Sequence, residues 1–506
     1  MAEPLLLALD QGTTSTRAIV FDARGKVLAE AGRPLQQFYP ADGWVEHDAE
    51  EIFDASVAVL REALGRCGRP AGDVAALGIT NQRETVVIWD KASGKPIHRA
   101  IVWQDRRTAG ACERLRAEGY EARVTELTGL LLDPYFSGTK IGWLLDQVEG
   151  ARERAAAGEL LAGTMDAWVI WKLTGGPDNT KAVHATDATN ASRTLVYDIR
   201  QHAWSPEMGE LLGVPLNILP RVQDCAGDFG ETSPELLGRP IPIRGVAGDQ
   251  QAALMGQGCI RPGQMKATYG TGCFMLVNTG EAAPVSQARL LTTVAAQVAG
   301  RTTYALEGAI FIAGAAIQWV EQGLKVSGGP QAVEALAREA NDELGVVMVP
   351  AFTGLGAPWW DAGARGALLG LTRDAGLAEI ARAALDASAL QTRDLIEAMR
   401  SDAPQAFGGQ TELRIDGGMS KSAWFSQRLA DLTGVAVSRA TMQETTALGA
   451  ALFAGLAAGV YASLEEAAGS RPDTEGFAPA LGAQGREAAY ARWLDAVRRV
   501  RSSLAG

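Results

Sequence analysis

Metal and disulfide chemistry have little to work with in this chain. Its 506 residues hold only four histidines, none at ligand spacing from another. The five cysteines (Cys67, Cys112, Cys225, Cys259 and Cys273) include no CxxC pair. An odd, scattered set of thiols excludes a disulfide framework and leads to the expectation of a reduced, cytoplasmic setting. No apolar run approaches the roughly 20 residues needed to span a bilayer. The opening "MAEPLLLALDQG" has neither the basic segment nor the apolar length of a signal peptide, so stable membrane insertion is not expected. Basic blocks are missing as well. The 47 lysines and arginines are outnumbered by 59 acidic residues, a formal net charge of −12, which argues against nucleic acid as a partner.

What remains is an ordinary globular composition, 47% apolar and 21% charged, in a chain too long for a single core. Strand-like and helix-like segments alternate throughout, which predicts an α/β architecture. "AALGITNQRETVVIWD" reads as strand, polar turn, strand, and "HRAIVWQDRRT" repeats that shape. An apolar run ending in a polar cluster is what a strand feeding a crevice looks like. The periodicity of "AEIARAALDASALQTRDLIEAM" predicts a long helix over residues 378–399.

The opening stretch "LLLALDQGTTSTRAIVFD" runs from a buried-looking strand into Asp10, then one glycine and four hydroxyl residues, then Arg17. Lacking lysine, it is neither GxxxxGK[ST] nor GxGxxG. Gly12 permits close backbone approach, and successive N–H groups in such a turn form an anion nest. Thr13, Thr14 and Ser15 add hydroxyl donors, and Arg17 adds a fork suited to phosphate oxygens. Asp10 suits an anion only if a cation lies between, a need that Mg²⁺ with phosphates meets. The alternative is a plain polar hairpin. An echo counts against that: in "MKATYGTGCFMLVNTG", Gly270-Thr271 falls on Gly12-Thr13. Two such hairpins suggest a duplicated molecule whose halves each offer a turn to one ligand. The Gly/Pro-containing "GQGCIRPGQ" places the boundary within residues 252–262, giving units of 1–256 and 257–506.

Other segments carry candidate chemistry. "RIDGGMSKSAWF" reads as a strand running into paired glycines and a helix start, open to a flat ring or to no ligand at all. In "VAGDQQAALMG", Asp249 stands before a helical run as an N-cap, as a general base, or as both. In "NQRET", Arg83 donates and Glu84 accepts beside one another, as a polyol hydroxyl requires. A solvated ion pair is the alternative there. Trp103 and Tyr135, as isolated residues, fit a core as well as a ligand wall.

Together, "DQGTTSTR", "GWVEHD", "NQRETVVIWD", "IVWQDRRT", "DPYFSGTKIGWLLD", "TDATNASRTLV", "AGDQQAALMGQ", "TYGTGCFMLVNTG", "YALEGAIFIAGAAIQW", "PAFTGLGAPWWD" and "ETTALGAA" resemble, in order from residue 8 to about 460, the FGGY family of carbohydrate kinases. That resemblance implies a two-lobed actin/Hsp70/sugar-kinase (ribonuclease H-like) fold with a duplicated core and an active site between the lobes. It implies phosphorylation of glycerol by ATP with Mg²⁺ as the cofactor, and a homo-oligomer, dimer or tetramer. Another small polyol or sugar is the alternative substrate, and an ATP-binding filament, chaperone or sensor the alternative class. Position by position, the resemblance sets glycerol against Arg83, Glu84, Tyr135, Asp249 and Gln250, with Trp103 and Phe274 as apolar walls. It gives nucleotide phosphates to Thr13, Thr14, Ser15, Arg17, Gly270 and Thr271, and the rest of the nucleotide to Gly314, Gln318, Gly418, Met419 and Ala423. Asp10 and Asp249 would bracket Mg²⁺, with Asp249 as the catalytic base. One departure stands out: the family's asparagine in the helix after Asp-Gly-Gly is here Ala423. "SPELLGRPIPIRG" also lacks a clear sugar-phosphate effector site.

Overall fold

The computed structural model describes residues 3–409, 411–471 and 473–502. The first apolar run forms β1 (Leu5–Gln11), every residue of which is buried. β2 (Ser15–Asp22) and β3 (Val27–Pro34) follow it as antiparallel neighbours. Their turn, "DARGK", is closed by Asp22, whose Oδ1 accepts from the N–H groups of Arg24 and Lys26, each at 2.9 Å. β4 (Val74–Asn81) lies parallel to β1, and β5 (Ile243–Gly248) parallel to β4, giving the order β5-β4-β1-β2-β3.

A second sheet repeats that plan. Its strands are β6 (Gln264–Tyr269), β7 (Cys273–Gly280), β8 (Leu291–Val298), β9 (Arg301–Ile310), β10 (Glu412–Asp416), β11 (Ala436–Ala440) and β12 (Thr474–Phe477), in the order β8-β9-β7-β6-β10-β11-β12. β6 is antiparallel to β7, β7 to β9, and β6 is parallel to β10 and β10 to β11. The segment β9-β7-β6-β10-β11 therefore matches β3-β2-β1-β4-β5 in order and direction, and the two Gly-Thr turns occupy the same place, between the first two strands of each copy. The duplication read from the Gly-Thr echo is present in the topology.

"NQRET" does not fold its strand back on itself. Val86–Asp90 leaves β4 for a separate four-stranded sheet, where it pairs with Leu160–Thr164. The polar residues are thus held at a crossing between two sheets.

Five helices matter to the site: α1 (Asp249–Gly256), α2 (Gly314–Gly323), α3 (Leu377–Asp402), α4 (Ala423–Thr433) and α5 (Thr445–Ala457). The helix predicted over 378–399 is α3, extended to 26 residues. α5 crosses the division between the sheets. Leu448, Ala451, Leu452 and Phe453 form one apolar cluster with Leu6, Ala8, Ile19 and Phe21 of the first sheet. It meets α1 backbone to backbone. A Cβ on Gly449 would lie 1.8 Å from the Ala252 carbonyl oxygen, and one on Gly256 1.9 Å from that of Thr445. No residue with a side chain fits either position at this crossing. Among the described residues no helix is long and apolar enough to cross a membrane.

Candidate active site

The registers of the first sheet make β1, β4 and β5 end level: Gln11 is opposite Asn81, and Asn81 opposite Gly248. Asp10, Arg83 with Glu84, and Asp249 therefore emerge at one edge, the carboxyl ends of three adjacent parallel strands, where α/β sheets bind ligands.

Arg83 and Glu84 are buried, 3% and 1% exposed, which rules out the solvated ion pair. Glu84 has φ of +60°, a left-handed backbone uncommon outside glycine. It is pinned there by Ser137, whose hydroxyl donates to its carbonyl at 3.1 Å, and by Arg193, whose Nε donates to Oε1 at 2.7 Å. Arg83 donates from Nη1 and Nη2 to the two oxygens of Glu307, at 2.6 and 3.1 Å. Its Nε lies 3.1 Å from Asp249 Oδ1, and Nη2 reaches the Tyr135 hydroxyl at 3.5 Å. Burial pushes the Glu84 carboxyl above its usual range against the pull of Arg193 and Arg83. Burial acts the same way on Glu307, but there Arg193 and Arg83 win and hold it down at about 2.

Asp249 differs from the expected N-cap. Gly248 occupies the cap position and Asp249 is the first residue of α1, its Oδ1 accepting from the Gln250 N–H at 2.7 Å. Its side chain, 33% exposed, is the one open carboxylate beside the enclosed arginine. Gln250 is held from the other sheet: Lys266 Nζ, buried on β6, donates to Gln250 Oε1 and, at 3.0 Å, to Thr268 Oγ1. Burial lowers the Lys266 ammonium's proton affinity, and Asp416 and Asp249 partly restore it.

The expected walls converge. The Trp103 ring meets Tyr135 edge-on at 5.6 Å and Phe274 at 6.4 Å. The indole N–H of Trp103 donates to Thr13 Oγ1 at 2.9 Å, tying this wall to the first Gly-Thr turn. Lys140, buried, donates to the Tyr135 carbonyl at 2.8 Å and fixes the loop that carries the tyrosine.

In the first turn the Gly12 N–H donates to the Ser15 carbonyl at 2.9 Å, leaving Thr14 exposed and Thr13 and Ser15 half-buried. Arg17 stands directly across the β1–β2 ladder from Asp10, and the two pair at 2.7 Å. Its other arm reaches Glu444, the residue that opens α5, at 2.6 Å. Burial raises the Asp10 carboxyl's affinity for a proton; Arg17 opposes this and the charge of Asp249 adds to it. Among the described residues no three acidic, histidine or cysteine groups cluster tightly enough to hold a metal alone. A metal here would need oxygens from a ligand, as Mg²⁺ on phosphates does.

The second turn joins β6 to β7 in the other sheet. α2 docks onto it, with the N–H groups of Ala313 and Ala315 donating to the Thr271 carbonyl and that of Gly314 to the Gly270 carbonyl, at 2.9–3.1 Å. Gly417, at φ +87°, brings the turn after β10 against the end of β6; a Cβ there would lie 2.4 Å from the Tyr269 carbonyl oxygen. These approaches leave a cleft of about 490 Å³, lined by Gly270, Thr271, Gly314, Gln318, Gly418, Met419 and Ala423 together with apolar Ile317, Leu385 and Phe425. Ser422 caps α4, its Oγ accepting from the Phe425 N–H at 2.9 Å, and Ala423 opens that helix facing the cleft. The residues assigned to the nucleotide from sequence thus divide into two groups, one on each Gly-Thr turn.

Sequence reading missed Arg193, Glu307 and Lys266, all buried and bonded to Glu84, Arg83 and Gln250 respectively. Arg193 and Glu307 lie in "TDATNASRTLV" and "YALEGAIFIAGAAIQW", where a charge inside an apolar or small-residue run was the available signal.

Comparison with known proteins agrees with this architecture. Residues 5–256 match the model of the FGGY family of carbohydrate kinases, N-terminal domain, and residues 265–458 that of its C-terminal domain. The chain is 56% identical over 497 residues to a glycerol kinase of Alcanivorax borkumensis, covering 98% of each. It is 55% identical over 501 residues to one of Rhodospirillum rubrum, covering 99% of this chain and 100% of that one. The crystal structure of Plasmodium falciparum glycerol kinase with ADP superposes with a TM-score of 0.91 at 32% identity, covering 98% of both chains. The chain belongs to the FGGY family of carbohydrate kinases.

Proposed function

We propose that this protein transfers the γ-phosphoryl group of ATP to a terminal hydroxyl of glycerol, giving glycerol 3-phosphate and ADP. The observation that carries the reading is the buried donor–acceptor pair Arg83–Glu84 beside the open carboxylate of Asp249, under the walls of Trp103, Tyr135 and Phe274. Donors and acceptors side by side against aromatic walls match a small molecule rich in hydroxyls. The high identity to glycerol kinases over nearly the whole chain supports the same substrate.

Arg83 donates to the substrate hydroxyls and Glu84 accepts from them. Tyr135 and Gln250 complete the polar contacts, and the aromatic walls cover the carbon backbone. Asp249 takes the proton of the terminal hydroxyl as its oxygen forms a bond to the γ-phosphorus, and the bond from that phosphorus to the β-phosphate oxygen breaks in line. The N–H groups and hydroxyls of the Gly12–Ser15 and Gly270–Thr271 turns cradle the phosphates, and Arg17 exchanges its pairing with Asp10 for phosphate oxygens. Adenosine occupies the cleft of Gln318, Met419 and Ala423. Asp10 and Asp249 would hold Mg²⁺ against the phosphates, and the chemistry it supplies there is neutralisation of their charge. Units 1–256 and 257–506 form the two lobes, and closure between them excludes water as a competing acceptor. A coupled assay of ADP release across glycerol, other small polyols, pentoses and gluconate tests the reading: glycerol is expected to lead by a wide margin, and a leading sugar would replace it.

A further inference from the structure

Resting on that reading, we infer that Glu307 and Arg193 are positioning residues for the polyol site: they fix Arg83 and Glu84 in place and hold the terminal nitrogens of Arg83 away from Asp249.

Both terminal nitrogens of Arg83 are committed to partners in the interior. Glu307 takes both terminal nitrogens through its two oxygens, a forked geometry that fixes the plane of the guanidinium. Only Nε remains toward Asp249, at 3.1 Å. Arg193 holds the opposite corner. Its Nη2 donates to Glu307 Oε1 at 3.0 Å and its Nε to Glu84 Oε1 at 2.7 Å, so one guanidinium orients both carboxylates. The result is a closed ring of two arginines and two glutamates whose side chains are at most 2% exposed. Its charges cancel without Asp249. The open carboxylate is therefore not required to balance the ring and is available for the proton. Were Glu307 uncharged, the terminal nitrogens of Arg83 would turn to the nearest remaining carboxylates, Asp249 and Glu84, and occupy the oxygens that the substrate needs. Two further buried cations nearby have partners of their own: Lys266 is bound to Gln250 and Thr268, and Lys140 to the Tyr135 carbonyl.

The placement also joins the two sheets. Glu307 belongs to β9, whereas Arg83 follows β4 and Arg193 follows the short helix Ala188–Ala191. The polyol arginine is thus set by a carboxylate from the other half of the molecule.

The test is steady-state kinetics with glycerol and ATP, beside thermal unfolding, for Glu307→Gln, Glu307→Asp and the double variant Arg193→Gln/Glu307→Gln. The double variant removes one charge of each sign and leaves Arg83 balanced by Glu84, so no uncompensated buried charge remains to unfold it. It is expected to raise the glycerol KM by about 30-fold or more and to lower kcat, with the ATP KM within about threefold of wild type. Glu307→Asp, which keeps the charge, is expected to recover part of the glycerol affinity lost in Glu307→Gln. A folded double variant with wild-type glycerol KM and kcat would overturn the inference. So would equal losses for glycerol and ATP, or failure of every variant to fold, either of which assigns the pair to the core alone. If the wild-type protein itself does not phosphorylate glycerol, the failure lies in the reaction assigned above.

Discussion

Asp249 Oδ1 stands 3.1 Å from Nε of Arg83, the arginine enclosed and the carboxylate a third open. In the proposed reaction the arginine would donate to the substrate while the neighbouring carboxylate would accept a proton, and each would depend on the other staying in place. Removal of Arg83 is therefore expected to have two effects. Arg83→Ala takes a donor from the polyol hydroxyls and is expected to raise the glycerol KM by at least about tenfold, the effect of an unpaired buried polar group. It also leaves Glu307 with one cation instead of two, so a loss of stability of about 3–5 kcal/mol is expected from the uncompensated buried charge. Kinetics and denaturant unfolding read the two effects separately, and an unchanged KM would remove Arg83 from the pocket.

Propane-1,2-diol and propane-1,3-diol each lack one hydroxyl of glycerol. A site whose donors and acceptors are buried rejects a substrate that leaves them unpaired, by about 10⁴ or more where the match is tight. Both diols are expected to be poor substrates in kcat/KM. Efficient turnover of either would contradict a pocket that engages all three hydroxyls.

The crossing of α1 and α5 gives a prediction about stability. Gly449 lies against the Ala252 backbone with no room for a Cβ, and the contacting atoms are main chain, which cannot turn aside. Gly449→Ala is expected to force the helices apart at a cost of about 1–3 kcal/mol, the range for an overpacked core. Because α1 begins at Asp249, kcat is expected to fall as well. A variant with wild-type melting temperature and kcat would mean that the crossing has slack.

Much of this was legible in the sequence, and the part that was not has a physical reason. The Gly-Thr echo revealed a duplicated sheet because glycine and hydroxyl residues in a tight turn after an apolar strand are dictated locally. Arg83, Glu84 and Asp249 were legible as residues because strand ends at a crevice are polar. Their surroundings were not. Whether "NQRET" is solvated or buried depends on Glu307, 224 positions from Arg83, and on Arg193, 109 positions from Glu84. No local pattern reports a partner at that distance. Asp249 stands one position inside the cap, with Gly248 at the cap position, and its Oδ1 is shared between the Gln250 N–H and Nε of Arg83, a partner that no local pattern reports either.

Asp249→Asn tests most directly whether Asp249 accepts the substrate proton. The amide can still accept from the Gln250 N–H, and the charge lost at the start of α1 is worth about 0.3–1 kcal/mol, so the melting temperature is expected to stay near wild type. An amide cannot take a proton at neutral pH, so kcat is expected to fall by about 10²–10⁴ or more while glycerol still binds. Measured together, a folded, glycerol-binding protein with almost no turnover is the predicted result. A folded Asp249→Asn protein with near-normal kcat would contradict the mechanism and leave Asp249 only a structural place at the head of its helix.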